Sequence, residues 1–116
     1  MKYLILIAYD PADWDNPDAE KLERYHRQHH AFDDAVGDRM LAGAALADTD
    51  SATTLRRGGQ SGETLTDGPF AETAEMVGGF YLVNGDDLDE VVGWCRLLPP
   101  EYALEIRPCI QIDGFE

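Results

Sequence analysis

All three histidines of the chain, His26, His29 and His30, lie in one short stretch, and a carboxylate worth setting beside them, Asp67, stands in Thr66-Asp67-Gly68-Pro69-Phe70. An imidazole and a carboxylate are the side chains that move protons near neutral pH. Arg56 and Arg107 sit in apolar neighbourhoods, where a guanidinium can hold a carboxylate or an enolate by two parallel hydrogen bonds. Tyr9 and Tyr81 are candidates to line a pocket. Each has a plainer reading. Asp67 can lock a stiff corner as an Asx turn, with Pro69 fixing its own φ, Gly68 pushed toward extended backbone, and Phe70 dropped into the core. The arginines can form structural salt bridges, and the tyrosines can be core aromatics.

Other chemistries find less support. His26 and His30 stand at i, i+4 spacing, which suits zinc, but no third Cys or His ligand accompanies them, so no metal is expected. Gly58-Gly59 and Gly78-Gly79 lack the strand–loop–helix setting of a phosphate loop, and no G-x-S-x-G elbow occurs. Cys95 and Cys109 fall in separate apolar patterns and read as two buried thiols. The formal charge of −14 argues against nucleic acid and against anionic membranes. No apolar run nears the roughly 20 residues that span a bilayer. The apolar start runs straight into Asp10-Pro11 without a cleavage site, so a cytoplasmic location is expected.

The elements that must position these groups follow from hydrophobic period, and a single domain over 1–116 is expected. Residues 2–9 alternate as a strand, with Tyr3, Ile5, Ile7 and Tyr9 on one face and Leu4, Leu6 and Ala8 on the other. Both faces are apolar. With few helices available, a second subunit is the economical cover for one of them. A helix is predicted from Asp18 to Val36, its buried stripe being Leu22, Tyr25, His29, Phe32 and Val36, with Gly37 as the stop. His29 on that stripe reads as a core histidine. Met40–Leu46 is a further apolar stretch. Residues 52–57 and 63–66 flank Gly58-Gly59-Gln60-Ser61-Gly62 as a hairpin, and Asp67–Glu75 reads as irregular. Gly79–Val83 is a strand. Asp86 or Asp87 caps a second helix, Asp87 with Glu90 fitting a capping box, and this helix buries Leu88, Val91, Val92, Cys95 and Leu98 and ends at Pro99-Pro100. Tyr102–Ile110 is the last strand, with Glu105 and Arg107 on one face. The order is that of a split β-α-β, ferredoxin-like α+β domain with an antiparallel sheet and an inserted hairpin.

The run Thr66-Asp67-Gly68-Pro69-Phe70-Ala71-Glu72-Thr73 followed by Gly78-Gly79-Phe80-Tyr81 resembles the DGPF-domain proteins of the YCII-related family. The resemblance covers nearly the whole chain: Tyr9-Asp10, Trp14, Phe32, Leu41–Leu46, Ala52–Arg56, Asp87–Glu90 and Glu105–Pro108 fit in order and spacing. It implies a dimeric α+β barrel, hence a homodimer. It also implies a His–Asp pair in a cleft, with His26 at about the place of the family's helix histidine. One function then expected is a cofactor-independent enzyme on a small anionic organic molecule, with Asp67 or His26 as general base and Arg107 holding the oxyanion. Arg56, Tyr81 and Tyr9 would bind the substrate. The other is a non-catalytic ligand-binding or regulatory dimer. A haem-handling barrel would need His29 or His30 as axial ligand; no cofactor is expected.

Overall fold

A computed structural model describes residues 1–60, 62–71 and 73–115. Ser61 of the glycine turn, Glu72 of the DGPF run and Glu116 lie outside the described residues. Strand β1 spans Lys2–Tyr9 and leads through a 3-10 turn, Pro11–Trp14, into helix α1, Ala19–Val36. Strand β2 is Met40–Ala45, β3 Thr53–Gly59, β4 Gly62–Asp67 and β5 Met76–Asn84. Helix α2, Leu88–Cys95, and strand β6, Ala103–Pro108, complete the chain.

Local chemistry sets these boundaries. Asp18 caps α1, its Oδ1 accepting from the Lys21 amide at 2.7 Å, which satisfies one of the helix's orphan donors. Gly37 ends α1 at φ +60°, a conformation that glycine adopts without the strain of a Cβ. Asp87 caps α2 through the Glu90 amide at 2.9 Å. The return half of the expected capping box is shifted by one residue, because Glu90 Oε1 accepts from the amide of Asp86. Glu90 is also bound by Arg39, and this ties the start of α2 to the segment that precedes β2.

The main sheet has the order β2-β5-β1-β6, with every neighbouring pair antiparallel. Strands β1 and β2 are thus parallel with β5 between them, and β5 and β6 are parallel with β1 between them. This is the ferredoxin-like split β-α-β arrangement expected from the order of elements. The hairpin β3–β4 is a separate two-stranded sheet inserted between β2 and β5.

Both helices pack on one face of the sheet. Tyr3 and Ile5 of β1, Phe32 and Val36 of α1, Val83 of β5 and Val91 and Cys95 of α2 form one buried cluster. Burying each large apolar side chain contributes about 1.5–3 kcal/mol, so this cluster is the main source of cohesion. Two residues depart from the predicted stripes. Leu22 and Leu88 each sit at the first turn of a helix, beyond the edge of the sheet, and Leu88 is 51% exposed.

The opposite face has no helix over it. There Leu4 stands across from Leu82, Leu6 from Phe80, and Ala42 and Ala44 continue the row on β2. Glu105 and Arg107 lie at its β6 side, opposite Leu6 and Leu4. The hairpin is also bare: Leu65 is 71% exposed and Leu55 51%. The radius of gyration, 16.7 Å, exceeds the roughly 13 Å of a compact domain of this length.

The Thr66–Phe70 run is built differently from its predicted corner. Asp67 belongs to β4, opposite Thr53. The corner is held by the Gly68 amide on the Ala52 carbonyl at 2.7 Å and by the Thr54 hydroxyl on the Gly68 carbonyl at 2.7 Å. Gly68 has φ +104°, outside the extended region, so its lack of a Cβ is what lets the turn form. Phe70 is 80% exposed and anchors nothing within the chain, because the hairpin carries it away from the core.

Candidate functional site

Where α1 passes over β2, β5 and the end of β1, the sheet bears small residues, and the space above them stays open. The cavity measures about 630 Å³, within the range of small-molecule sites. Its floor comes from Ile7, Gly79, Gly43 and Ala45, which share the helix-facing side of the sheet. Tyr9 and Trp14 line it at one side, His29, Tyr81 and Tyr102 at another, and Asp48 at the rim beyond β2.

The glycines are needed for this shape. A Cβ at Gly43 would stand 2.8 Å from the Tyr81 ring, and one at Gly78 would stand 2.5 Å from the Tyr9 ring. Both rings therefore bring an edge close over strand backbone. A Cβ at Gly79 would meet the Ala44 carbonyl oxygen at 2.9 Å. Trp14 is brought in by its 3-10 turn. Asp10 caps that turn through the Ala12 amide at 3.0 Å, and the Lys21 ammonium holds the Asp13 carbonyl. The indole then packs edge-on against Tyr25, with ring centroids 4.4 Å apart.

His29 is the polar centre of the cavity. Its Nδ1 lies 2.7 Å from the Tyr81 hydroxyl and its Nε2 lies 3.0 Å from the Tyr102 hydroxyl. A neutral imidazole has one N–H and one lone pair. One tyrosine therefore donates to His29 and the other accepts from it. The accepting tyrosine keeps its own proton free for a ligand, and the donating tyrosine keeps oxygen lone pairs free. Either tautomer gives this division of labour.

Electrostatics hold all three groups uncharged. Burial lowers the His29 pKa, assisted by His26 and His30 and opposed by Asp33. Burial, with Asp33 and Tyr102 adding to it, pushes Tyr81 up to about 12. Burial beside Glu101 does the same to Tyr102. Two neutral hydroxyls thus flank a base in a partly desolvated site.

Of the residues singled out from sequence, Tyr9 and Tyr81 line this cavity. The others lie elsewhere in the chain. His26 is exposed on α1. Arg107 is exposed on the open face of the sheet, 3.9 Å from Glu105. Asp67 is exposed on the hairpin, as is Arg56, which donates to the Phe70 carbonyl at 2.7 Å. A single chain does not bring Asp67, His26 and Arg107 together. His29, which its place on the apolar stripe marks as a core histidine, is instead half-buried and lines the cavity, as do Tyr102 and Trp14, which the sequence does not mark as site residues. A signal for His29 existed, since a histidine on an otherwise apolar stripe needs polar partners. The tyrosines that supply them come from distant strands.

Cys95 is buried and Cys109 half-buried, and both thiols are free. Burial raises the Cys95 thiol to about 11, which makes it unreactive. Among the described residues no three His, Cys, Asp or Glu side chains converge as a metal site. No helix there is long and apolar enough to cross a membrane.

Comparison with known proteins places this geometry. The model of the YCII-related domain matches residues 1–106. An uncharacterized protein of Rhizobium meliloti (strain 1021) is 44% identical over 70 residues, which is 56% of this chain and 55% of that protein. The match therefore spans about half the length of that curated relative.

Proposed function

The chain belongs to the YCII-related family, and from that premise we propose that it is a cofactor-independent proton-transfer enzyme centred on His29. The observation that carries this reading is the bonding of both imidazole nitrogens to tyrosine hydroxyls that face the same cavity. A ligand with an acidic C–H beside a carbonyl gives its proton to the oxygen of the tyrosine that donates to His29. That tyrosine passes its own proton to the imidazole. The other tyrosine donates to the enolate oxygen as charge develops there. The imidazolium so formed is more acidic than an exposed one, since burial lowers its pKa, and it returns the proton along the same path. Return to a different carbon makes the reaction an isomerisation.

Deuterium exchange tests this. Cyclic enones and enol lactones incubated in D2O are expected to take up deuterium beside the carbonyl, followed by proton NMR. General-base contributions run from about 10² to 10⁴, so His29→Gln is expected to slow exchange by about 100-fold or more. Ligand binding without exchange in the wild type would instead mark a non-catalytic sensor.

A second reading keeps Asp67, His26 and Arg107 as a site assembled between two copies. The uncovered apolar sheet face and the outlying hairpin favour it. In such a homodimer the open faces cover each other, and the hairpin residues Asp67 and Arg56 are free to approach the partner's surface. Asp67→Asn lowering exchange in the dimer, with folding intact, would support this arrangement over the His29 centre.

A further inference from the structure

We infer that the cavity selects an uncharged, flat-ringed molecule that presents an oxygen to Tyr81 and Tyr102, and that Asp48 at the rim turns away the carboxylate counterpart. This rests on the reading of His29 and its tyrosines as the polar centre, and it departs from the expectation of an anionic substrate.

The shape comes first. The floor includes Gly79, Gly43 and Ala45, whose side chains are small, and the Tyr9 and Tyr81 rings that line the space each bring an edge close to a strand glycine. A low floor flanked by aromatic rings suits a planar ring, which can stack or meet ring edges over most of its area. The polar groups sit at one side, so the ring is held by one oxygen.

Charge decides the class. Among the described residues no lysine or arginine lines the cavity, and Asp48 is its acidic lining residue. Three basic side chains on α1 and just after it are committed elsewhere. Arg24 pairs with Glu101, Arg39 with Asp86 and Glu90, and Lys21 with the Asp13 carbonyl. The His29 imidazole is held neutral and both hydroxyls stay protonated. A carboxylate entering here would lose hydration and meet no cation, which weakens its binding. The chain's charge of −14 adds a repulsive field outside the cavity. A cationic ligand meets only neutral groups at the polar side, where an ammonium can use the lone pairs of the tyrosine that donates to His29 but leaves the proton of the other unused.

Calorimetric titration of the wild-type protein with 2-naphthol, 2-naphthoate, naphthalene and 1-naphthylmethylammonium separates these cases. The naphthol is expected to bind at least about tenfold more tightly than each of the other three, a difference of about 1.4 kcal/mol. In Asp48→Asn the naphthoate is expected to gain about threefold at low salt, the modest effect of an exposed charge, with the naphthol unchanged. Naphthoate or the ammonium binding as tightly as naphthol overturns the inference, and so does failure of all four to bind. Failure of the acid–base reading looks different. Naphthol selectivity intact while His29→Gln leaves deuterium exchange unchanged sinks that reading alone. Naphthoate preference with exchange still lost in His29→Gln sinks the ligand class alone.

Discussion

His29 carries opposite demands on its two nitrogens, and its position between Tyr81 and Tyr102 meets both without a charge. Burial lowers its pKa below 6.5, so the folded chain resists a proton that the unfolded chain accepts. Folding is then fully favoured at this site above about pH 6.5, and that advantage is lost as pH falls through the lowered folded pKa. The groups that face it are Tyr81 and Tyr102 by hydrogen bond and Asp33, His26 and His30 by charge. His29→Gln is expected to flatten the fall in melting temperature between pH 6.5 and pH 5 relative to wild type, read by circular dichroism. Identical pH profiles for the two proteins would mean that His29 titrates as a solvated imidazole.

At the scale of elements, the cavity depends on what β2 and β5 lack. Gly43 and Gly79 lie on the floor, and each would bring a Cβ into a different kind of neighbour. At Gly43 the obstacle is the Tyr81 ring, which can tilt. Gly43→Ala is expected to cost about 1–3 kcal/mol, the usual range for overpacking, and to break the Tyr81–His29 bond. In this variant the His29 proton resonance, followed by NMR, titrates at a pH different from that in wild type. At Gly79 the obstacle is the Ala44 carbonyl in the ladder itself, so Gly79→Ala is expected to destabilise more than Gly43→Ala in urea unfolding. Helix α1 supplies the other half of the cavity. Its cap at Asp18 and stop at Gly37 fix its ends, and Phe32 and Val36 seat it on the sheet.

At the scale of the molecule, the apolar row Leu4, Leu6, Phe80 and Leu82 faces away from both helices. Isolated chains seldom leave so continuous an apolar face to water. A second copy laid on this face is the proposal developed above. Leu6→Asp places a charge in the middle of the row, with its side chain remote from the helix-facing core. It is expected to shift the protein from dimer to monomer in light scattering, with the His29 resonance unchanged. A wild-type protein that is monomeric at all concentrations removes the dimer, and with it the site built from Asp67 and Arg107.

The sequence by itself determined the order of elements, the cap of α2, the core stripe of α1 and the two-sided apolar character of β1. Those features are written in local period and local hydrogen bonding, which act over a few residues. It also exposed Tyr9 and Tyr81 as pocket candidates. Only the tertiary structure decided which polar groups meet. His29, Tyr81 and Tyr102 are separated by most of the chain and converge because α1 crosses the sheet above β5 and the start of β6. The DGPF run has the strongest sequence pattern, yet its Asp67 and Phe70 are carried outward on a hairpin that the main sheet does not cover. A turn motif encodes its own backbone, and where that turn points is set by packing among distant strands.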